Sequence, residues 1–225
     1  MNTVQENLKQ IQQDINLAAA KTGRNSEDIT LLAVTKYVTI ERTEEAVDAG
    51  IVDLGENRIE GFLEKQAAIG EKAVWHFIGS LQTRKVKDVI NQVDYLHALD
   101  RLSLAKEIQK RAEKKIKCFV QINVSGEATK SGVSPEETLG FIQQLAEFPA
   151  IEVVGLMTMA PNTEKEDVLR SVFSGLRQLR DEVKAADMLH APCTYLSMGM
   201  SNDYTIAIEE GATHIRVGSA LVGPY

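Results

Sequence analysis

The chain has 225 residues, 44% hydrophobic and 25% charged, the profile of a globular protein with one sizeable core. Its 25 Lys+Arg against 32 Asp+Glu give a net charge of −7, which argues against nucleic acid as the main partner, because phosphate neutralisation needs a basic face. No apolar run approaches the roughly 18 residues needed to cross a bilayer, the polar start MNTVQENLKQIQQDI lacks a signal-peptide core, and Cys118 and Cys193 are too few for a disulfide framework or a cysteine metal site, so a cytoplasmic location without membrane attachment is expected.

Leu8, Ile11, Ile15 and Ala18 recur at steps of three and four, which predicts a leading helix. Residues 31–35 read as a first strand, followed by a helix entered near Thr39 and closed by Gly50. Residues 51–54 and 59–69 give a second strand and helix, 75–78 a third strand, and Val86, Val89 and Ile90 line the next helix. A fourth strand at 95–98 precedes a helix carrying Leu102, Ala105, Ile108 and Ala112, and 116–124 make the fifth strand. Ser134-Pro135-Glu136-Glu137 opens a helix, with Ser134 as cap, Pro135 at the first helical position and Glu137 completing a capping box. A sixth strand at 153–157 leads into a long helix through Val168, Phe173, Leu176 and Leu179. A seventh at 194–197, a helix through Tyr204, Ile206 and Ile208 ending at Gly211, and an eighth strand at 214–217 complete the series.

Unbroken βα alternation implies a parallel sheet, either open and doubly wound or closed. Eight units favour closure as a (β/α)8 TIM barrel, with an additional N-terminal helix. No linker or composition shift divides the chain, so residues 1–225 are expected to form a single domain.

In such a barrel the site lies at the C-terminal ends of the strands, and the loops after strands seven and eight recurrently bind phosphate. Gly199, Ser201, Gly218 and Ser219 fall there, and a helix starting at Ser201 or Asn202 would aim its positive end at an anion. Either loop alone reads equally well as an ordinary cap or turn; both together favour a bound phosphate group. Lys36 leaves the first strand at the same rim. Alone it reads as a lysine snorkelling to solvent, but in a partly dry mouth beside a cation the neutral amine is favoured, and that form condenses with carbonyls. A lysine facing a phosphate cradle is the minimal equipment for pyridoxal phosphate, and also for a cofactor-free aldolase acting on a sugar phosphate. The basic stretch from Lys106 to Lys117 is interrupted by Glu107 and Glu113 and reads as a solvated face. His76, His97, His190 and His214 share no metal-ligand spacing, so no metal is expected. Met157, Met159, Met198 and Met200 are expected to fill the barrel interior and the surroundings of the site.

Several stretches in order carry a family resemblance over essentially the whole chain: Leu32-Ala33-Val34-Thr35-Lys36, Leu54-Gly55-Glu56-Asn57-Arg58, Trp75-His76-Phe77-Ile78-Gly79-Ser80-Leu81-Gln82, Gln121-Ile122-Asn123, Lys130-Ser131-Gly132, Gly155-Leu156-Met157-Thr158, Leu196-Ser197-Met198-Gly199-Met200-Ser201-Asn202-Asp203 and Arg216-Val217-Gly218. On these the chain resembles the pyridoxal-phosphate homeostasis proteins, YggS-like or PROSC-like, which are similar to the N-terminal barrel of alanine racemase. The resemblance implies that Lys36 carries pyridoxal 5'-phosphate as a Schiff base and that Ser201, Gly218 and Ser219 hold its phosphate. It also implies that Arg216 faces the pyridine nitrogen and that Asn57, His76 and Met157 lie around the ring. Two departures stand out: Arg84, where the family usually has asparagine, and the C-terminal Leu221-Val222-Gly223-Pro224-Tyr225, where an aromatic and a closing arginine are usual.

The same resemblance implies a binding protein that buffers or delivers pyridoxal phosphate, with apo pyridoxal-phosphate enzymes as candidate recipients and no catalytic residue. A racemase needs two acid/base groups on opposite faces of the substrate carbon, and a counterpart of the racemase's second-domain tyrosine is not expected in this chain. Tyr37 should point away if the strand continues, and Cys193 falls at the wrong end of the barrel. The alternative is a pyridoxal-phosphate enzyme with weak amino-acid racemase or decarboxylase activity. A monomer is expected, with a dimer as the alternative. Lys65, Lys85 and Lys130 remain open as a second cofactor position.

Overall fold

The computed structural model describes residues 3–127 and 131–223. Lys130 and the C-terminal Pro224 and Tyr225, singled out above, lie outside the described residues.

Thr3 starts helix α1 (Val4–Lys21) with a capping box: its side chain accepts from the Glu6 N–H, and Glu6 accepts from the Thr3 N–H. The spacing that predicts this helix buries Val4, Ile11, Ile15 and Ala18 on one face. Eight parallel strands follow: β1 (Thr30–Val34), β2 (Asp53–Glu56), β3 (Val74–Phe77), β4 (Tyr95–Leu99), β5 (Ile116–Gln121), β6 (Ile151–Met157), β7 (Tyr195–Met200) and β8 (His214–Val217). They close in sequence order, with β8 pairing back onto β1 so that Leu32 lies opposite Arg216. The outer helices are α2 (Ile40–Asp48), α3 (Ile59–Ile69), α4 (Val86–Val89), α5 (Leu102–Arg111), α6 (Thr138–Gln144), α7 (Glu166–Ala185), α8 (Tyr204–Glu209) and α9 (Ser219–Val222). The additional helix α1 straps the closing seam: Asn7 donates to the Leu221 carbonyl at 2.8 Å, and Tyr204 donates its hydroxyl proton to Asp14 at 2.7 Å.

Strand alternation sorts side chains into two cores. Ala33, Leu54, Trp75, Phe77, Leu96, Cys118, Leu196, Met198, Ile215 and Val217 pack outward among the helices. Phe62 of α3 meets Trp75 and Phe77 edge-on, with centroids 5.4 and 6.4 Å away. Phe119, Val154 and Met157 fill the barrel interior, joined by Tyr95. Met198 therefore belongs to the outer core and not to the interior expected above, because its neighbour Ser197 takes the inward position. Met159 and Met200 are partly exposed at the cavity wall.

Several boundaries differ from the sequence expectation, β6 starting two residues early at Ile151 and β7 running on to Met200, and four of the differences have a local cause. The second strand starts two residues late, because the Ile51 N–H bonds back to Ala46 and completes the turn out of α2. The fifth strand stops at Gln121, where Ile122 bridges to Val133. The turn through 135–137 delays α6 to Thr138; Ser134 donates its hydroxyl proton to the Glu137 carboxylate instead of capping the helix. The helix expected at Ser201 or Asn202 starts at Tyr204, after a turn in which the Asp203 carboxylate accepts from the Met200 N–H at 2.6 Å. Gly199, at φ +94°, enables that turn, and a Cβ there would lie 2.6 Å from Ala207 Cβ.

The barrel interior also holds three histidines: His76, His97 and His214. Burial, reinforced by the nearby Arg216 cation, holds His97 well below the usual imidazole range and pushes His214 down to about 3. Both folded-state values lie below the unfolded one, so their stabilising effect is complete above about pH 6.5 and is lost as the pH falls below it. Each histidine then contributes a slope of about 1.4 kcal/mol per pH unit. Urea unfolding at pH 7 and pH 5 should show this loss, with a shallower slope for His214→Leu; an identical slope in the variant would contradict the assignment.

Candidate functional site

The C-terminal ends of the strands surround a cavity of about 510 Å³. Lys36 reaches its wall two residues beyond the end of β1, and Asn57 one residue beyond β2. Met157 ends β6, Arg216 is the third residue of β8, and Ser201, Gly218 and Ser219 close the last side. Seven of the eight residues singled out from the sequence thus line one cavity: Lys36, Asn57, Met157, Ser201, Arg216, Gly218 and Ser219.

His76 is the exception. It is fully buried below the cavity, with its ring nitrogens 2.9 Å from His97 and 2.9 Å from Asp53, and it stacks on Tyr95. It is the third residue of β3, and the wall position two residues further along the same inward face belongs to Ile78. A cofactor ring in the cavity would meet Ile78 before His76.

The two loops at the seam are tied together by one hydroxyl. Ser201 Oγ accepts from the N–H groups of Gly218 and Ala220 at 3.2 and 3.4 Å. With its oxygen accepting from both amides, the Ser201 hydroxyl keeps its own proton to offer an anion's oxygen. On β8, the buried Arg216 guanidinium donates to Ser197 Oγ at 2.6 Å and to the Thr158 carbonyl at 3.0 Å. Burial lowers its pKa to about 10, against the raising influence of Asp203, so it remains a cation at neutral pH. Burial raises the Asp203 carboxyl, opposed by its Met200 N–H bond and by Arg216. Among the described residues Asn57 Oδ1 is buried without a hydrogen-bond partner, an acceptor at the cavity wall. Leaving such an atom unpaired costs about 1–3 kcal/mol, which a ligand donor would offset. An amine, a cation, an acceptor and a hydroxyl on a small-residue seam fit the aldehyde, ring and phosphate of pyridoxal phosphate.

Sequence reasoning missed Gln121, Asp203 and the segment 160–163 as parts of the wall. Gln121 carried a signal, a polar residue at the inward end of a strand, whereas 160–163 has no feature short of the fold itself. Tyr37 does not continue the strand as supposed: its φ is +67°, its ring is half-exposed, and the Arg58 guanidinium sits 4.5 Å above it. Cys193 is buried before β7, with burial pushing its thiol up to about 12. Among the described residues, no three His, Cys, Asp or Glu side chains form a group that could hold a metal ion.

Of the lysines left open, Lys85 lies 4.0 Å from Asp88 on the outer surface. Lys65 is buried, donating to Glu56 Oε1 at 2.5 Å and to the Thr35 carbonyl at 2.6 Å, while Thr35 Oγ1 donates to the same carboxylate at 2.7 Å. This cluster locks the backbone just before Lys36. Lys65→Met leaves Glu56 buried and unpaired, which should cost about 3–5 kcal/mol in urea unfolding. Adding Glu56→Gln should restore most of it, and an unaffected single variant would contradict the assignment.

A lysine, a buried arginine and an anion cradle at the mouth of a closed parallel barrel define a protein of the alanine-racemase barrel class. The chain matches the family "Alanine racemase, N-terminal domain" over residues 6–225. It is 41% identical over 222 residues to the pyridoxal phosphate homeostasis protein of Aquifex aeolicus (strain VF5), covering 97% of this chain and 96% of that one. Among solved structures, a protein from Bifidobacterium adolescentis described as unknown aligns at TM-score 0.92 and 32% identity, covering 97% of this chain and 94% of that one. PipY of Synechococcus elongatus PCC7942, solved with PLP bound, aligns at TM-score 0.81 and 28% identity, covering 93% of this chain and 100% of that one. The chain belongs to the alanine racemase N-terminal domain family and, within it, to the pyridoxal phosphate homeostasis proteins.

Proposed function

We propose that this chain reversibly binds pyridoxal phosphate at Lys36 and takes part in its homeostasis, buffering the cofactor or handing it to apo enzymes. The carrying observation is the convergence of Lys36, Arg216 and the Ser201–Gly218–Ser219 cradle on one cavity. The homeostasis proteins named above and the PLP-bound PipY structure support the reading.

Bound pyridoxal phosphate supplies an electrophilic aldehyde and an electron-withdrawing ring. The chain's own groups divide the binding. The Lys36 amine would hold the aldehyde carbon, with water as the leaving group, the Ser201 hydroxyl and the Gly218–Ser219 loop would hold the phosphate, and Met157 would pack against the ring. Arg216, a cation that donates hydrogen bonds and accepts none, would hold the pyridine nitrogen unprotonated and so weaken the ring as an electron sink.

A carrier is favoured over an enzyme by the cavity's titratable side chains. Among the described residues these are Lys36, Asp203 and Arg216, and Asp203 is tied to the Met200 N–H. Tyr37 and Cys193, the other acid/base candidates, lie outside that wall. Partition of the free cofactor between this protein and its recipients then depends on an open and reversible site.

Purified protein mixed with pyridoxal phosphate should turn yellow, and Lys36→Ala should lose the colour and weaken binding by at least about tenfold, or about 1.4 kcal/mol. A wild type that takes up no pyridoxal phosphate, or a variant as coloured as the wild type, would overturn the reading. Amino-acid turnover well above that of free pyridoxal phosphate, abolished by Lys36→Ala, would favour the enzyme instead.

A further inference from the structure

Five side chains form an unbroken hydrogen-bonded chain through the barrel interior. Arg216 Nη1 donates to Ser197 Oγ at 2.6 Å, and Ser197 Oγ lies 2.9 Å from His97 Nδ1. His97 Nε2 lies 2.9 Å from His76 Nδ1, and His76 Nε2 lies 2.9 Å from Asp53 Oδ1. The chain starts at the cavity wall and ends at the first residue of β2, where the Asp53 side chain is 23% exposed at the opposite end of the barrel. The Ser197–His97 link spans β7 and β4, which are not neighbours in the sheet, so it crosses the lumen.

The two ends fix the protons between them. A guanidinium only donates, and an ionised carboxylate only accepts. With both imidazoles neutral, one arrangement satisfies every link. Ser197 accepts from Arg216 and donates to His97 Nδ1, His97 Nε2–H donates to His76 Nδ1, and His76 Nε2–H donates to Asp53. Reversing the inner links requires His76 to carry protons on both nitrogens. Ser197 Oγ would then accept twice, leaving its own proton without a partner in the chain, and a second cation would share the interior with Arg216.

The surroundings favour the neutral arrangement. Burial and the Arg216 cation hold His97 well below the usual imidazole range. His76 stacks on Tyr95 at 4.5 Å and His97 on Phe119 at 4.3 Å, which fixes both ring planes. His214, with its ring centroid 6.4 and 6.5 Å from the two rings, stands outside the chain and pairs with Thr213 at 2.9 Å.

We propose that Ser197, His97, His76 and Asp53 are positioning residues for Arg216, forming a one-directional proton relay that fixes His76 and His97 as Nε2–H tautomers and orients the guanidinium at the cavity. His76 acts through its partners and touches no ligand. The consequence for pyridoxal phosphate rests on the function proposed above, whereas the tautomers do not.

Long-range proton–nitrogen NMR of the histidine rings in unliganded wild-type protein at pH 7 should show His76 and His97 as neutral Nε2–H forms. A proton on Nδ1 of either ring would overturn the relay, whether or not the protein binds pyridoxal phosphate. Ser197→Ala, with circular dichroism unchanged, should weaken pyridoxal phosphate binding about tenfold and shift the absorption maximum of the bound cofactor. Wild-type affinity and absorption in that variant would overturn the positioning role. Asp53→Leu, at the far end, should let both tautomers of His76 appear, and Asp53→Asn, which keeps an acceptor oxygen, should restore the single form. A single Nε2–H tautomer surviving Asp53→Leu would remove Asp53 from the relay.

Discussion

A guanidinium buried inside a β-barrel has lost its water, and whatever replaces that water decides where the charge points. Arg216 is held by neutral acceptors, the Ser197 hydroxyl and the Thr158 carbonyl, with no direct carboxylate contact among the described ion pairs. A direct carboxylate would cancel the charge. Neutral acceptors hold the cation and leave its field directed into the cavity. The site's other elements are arranged around that fixed cation. β8 carries Arg216 and pairs with β1, so the strand that ends near Lys36 is the immediate neighbour of the one that carries the arginine.

Closure of the sheet makes this placement stiff. The seam between β8 and β1 is reinforced from outside by α1, through Asn7 and Asp14, and from above by the Ser201 hydroxyl that joins the last two loops. On the far side of Lys36, the buried Lys65–Glu56–Thr35 cluster holds the end of β1 against β2. An amine that must bind and release a carbonyl compound without rearranging the fold needs such a support. Lys36 itself is only half-buried, and exposure at the mouth would keep the proposed bond accessible to water and so reversible.

Much of this was legible in the sequence because it follows from period and spacing. The steps of Leu8, Ile11, Ile15 and Ala18 gave α1, the eight βα alternations gave the barrel, and the barrel rule gave the rim. Lys36, Ser201, Gly218 and Ser219 were readable as rim residues on that basis, while the resemblance assigned their roles and those of Asn57, Met157 and Arg216. What stayed hidden depends on depth along a strand. His76 differs from the wall residue Ile78 by one inward step, a distinction that no composition or motif encodes. The histidines have no common spacing, yet closure brings those at 76, 97 and 214 together, because a barrel makes neighbours of residues far apart in the chain. Tyr37 lies off the cavity wall as expected, but for a different local reason: a left-handed φ, not strand alternation, places its ring.

The central claim, a reversible bond at one amine, is tested most directly by borohydride reduction of the protein mixed with pyridoxal phosphate, followed by peptide mass mapping. The account predicts one stable adduct, on the peptide containing Lys36, lost when excess inorganic phosphate competes for the cradle. An adduct confined to other lysines such as Lys65 or Lys85, or none at all, would contradict it.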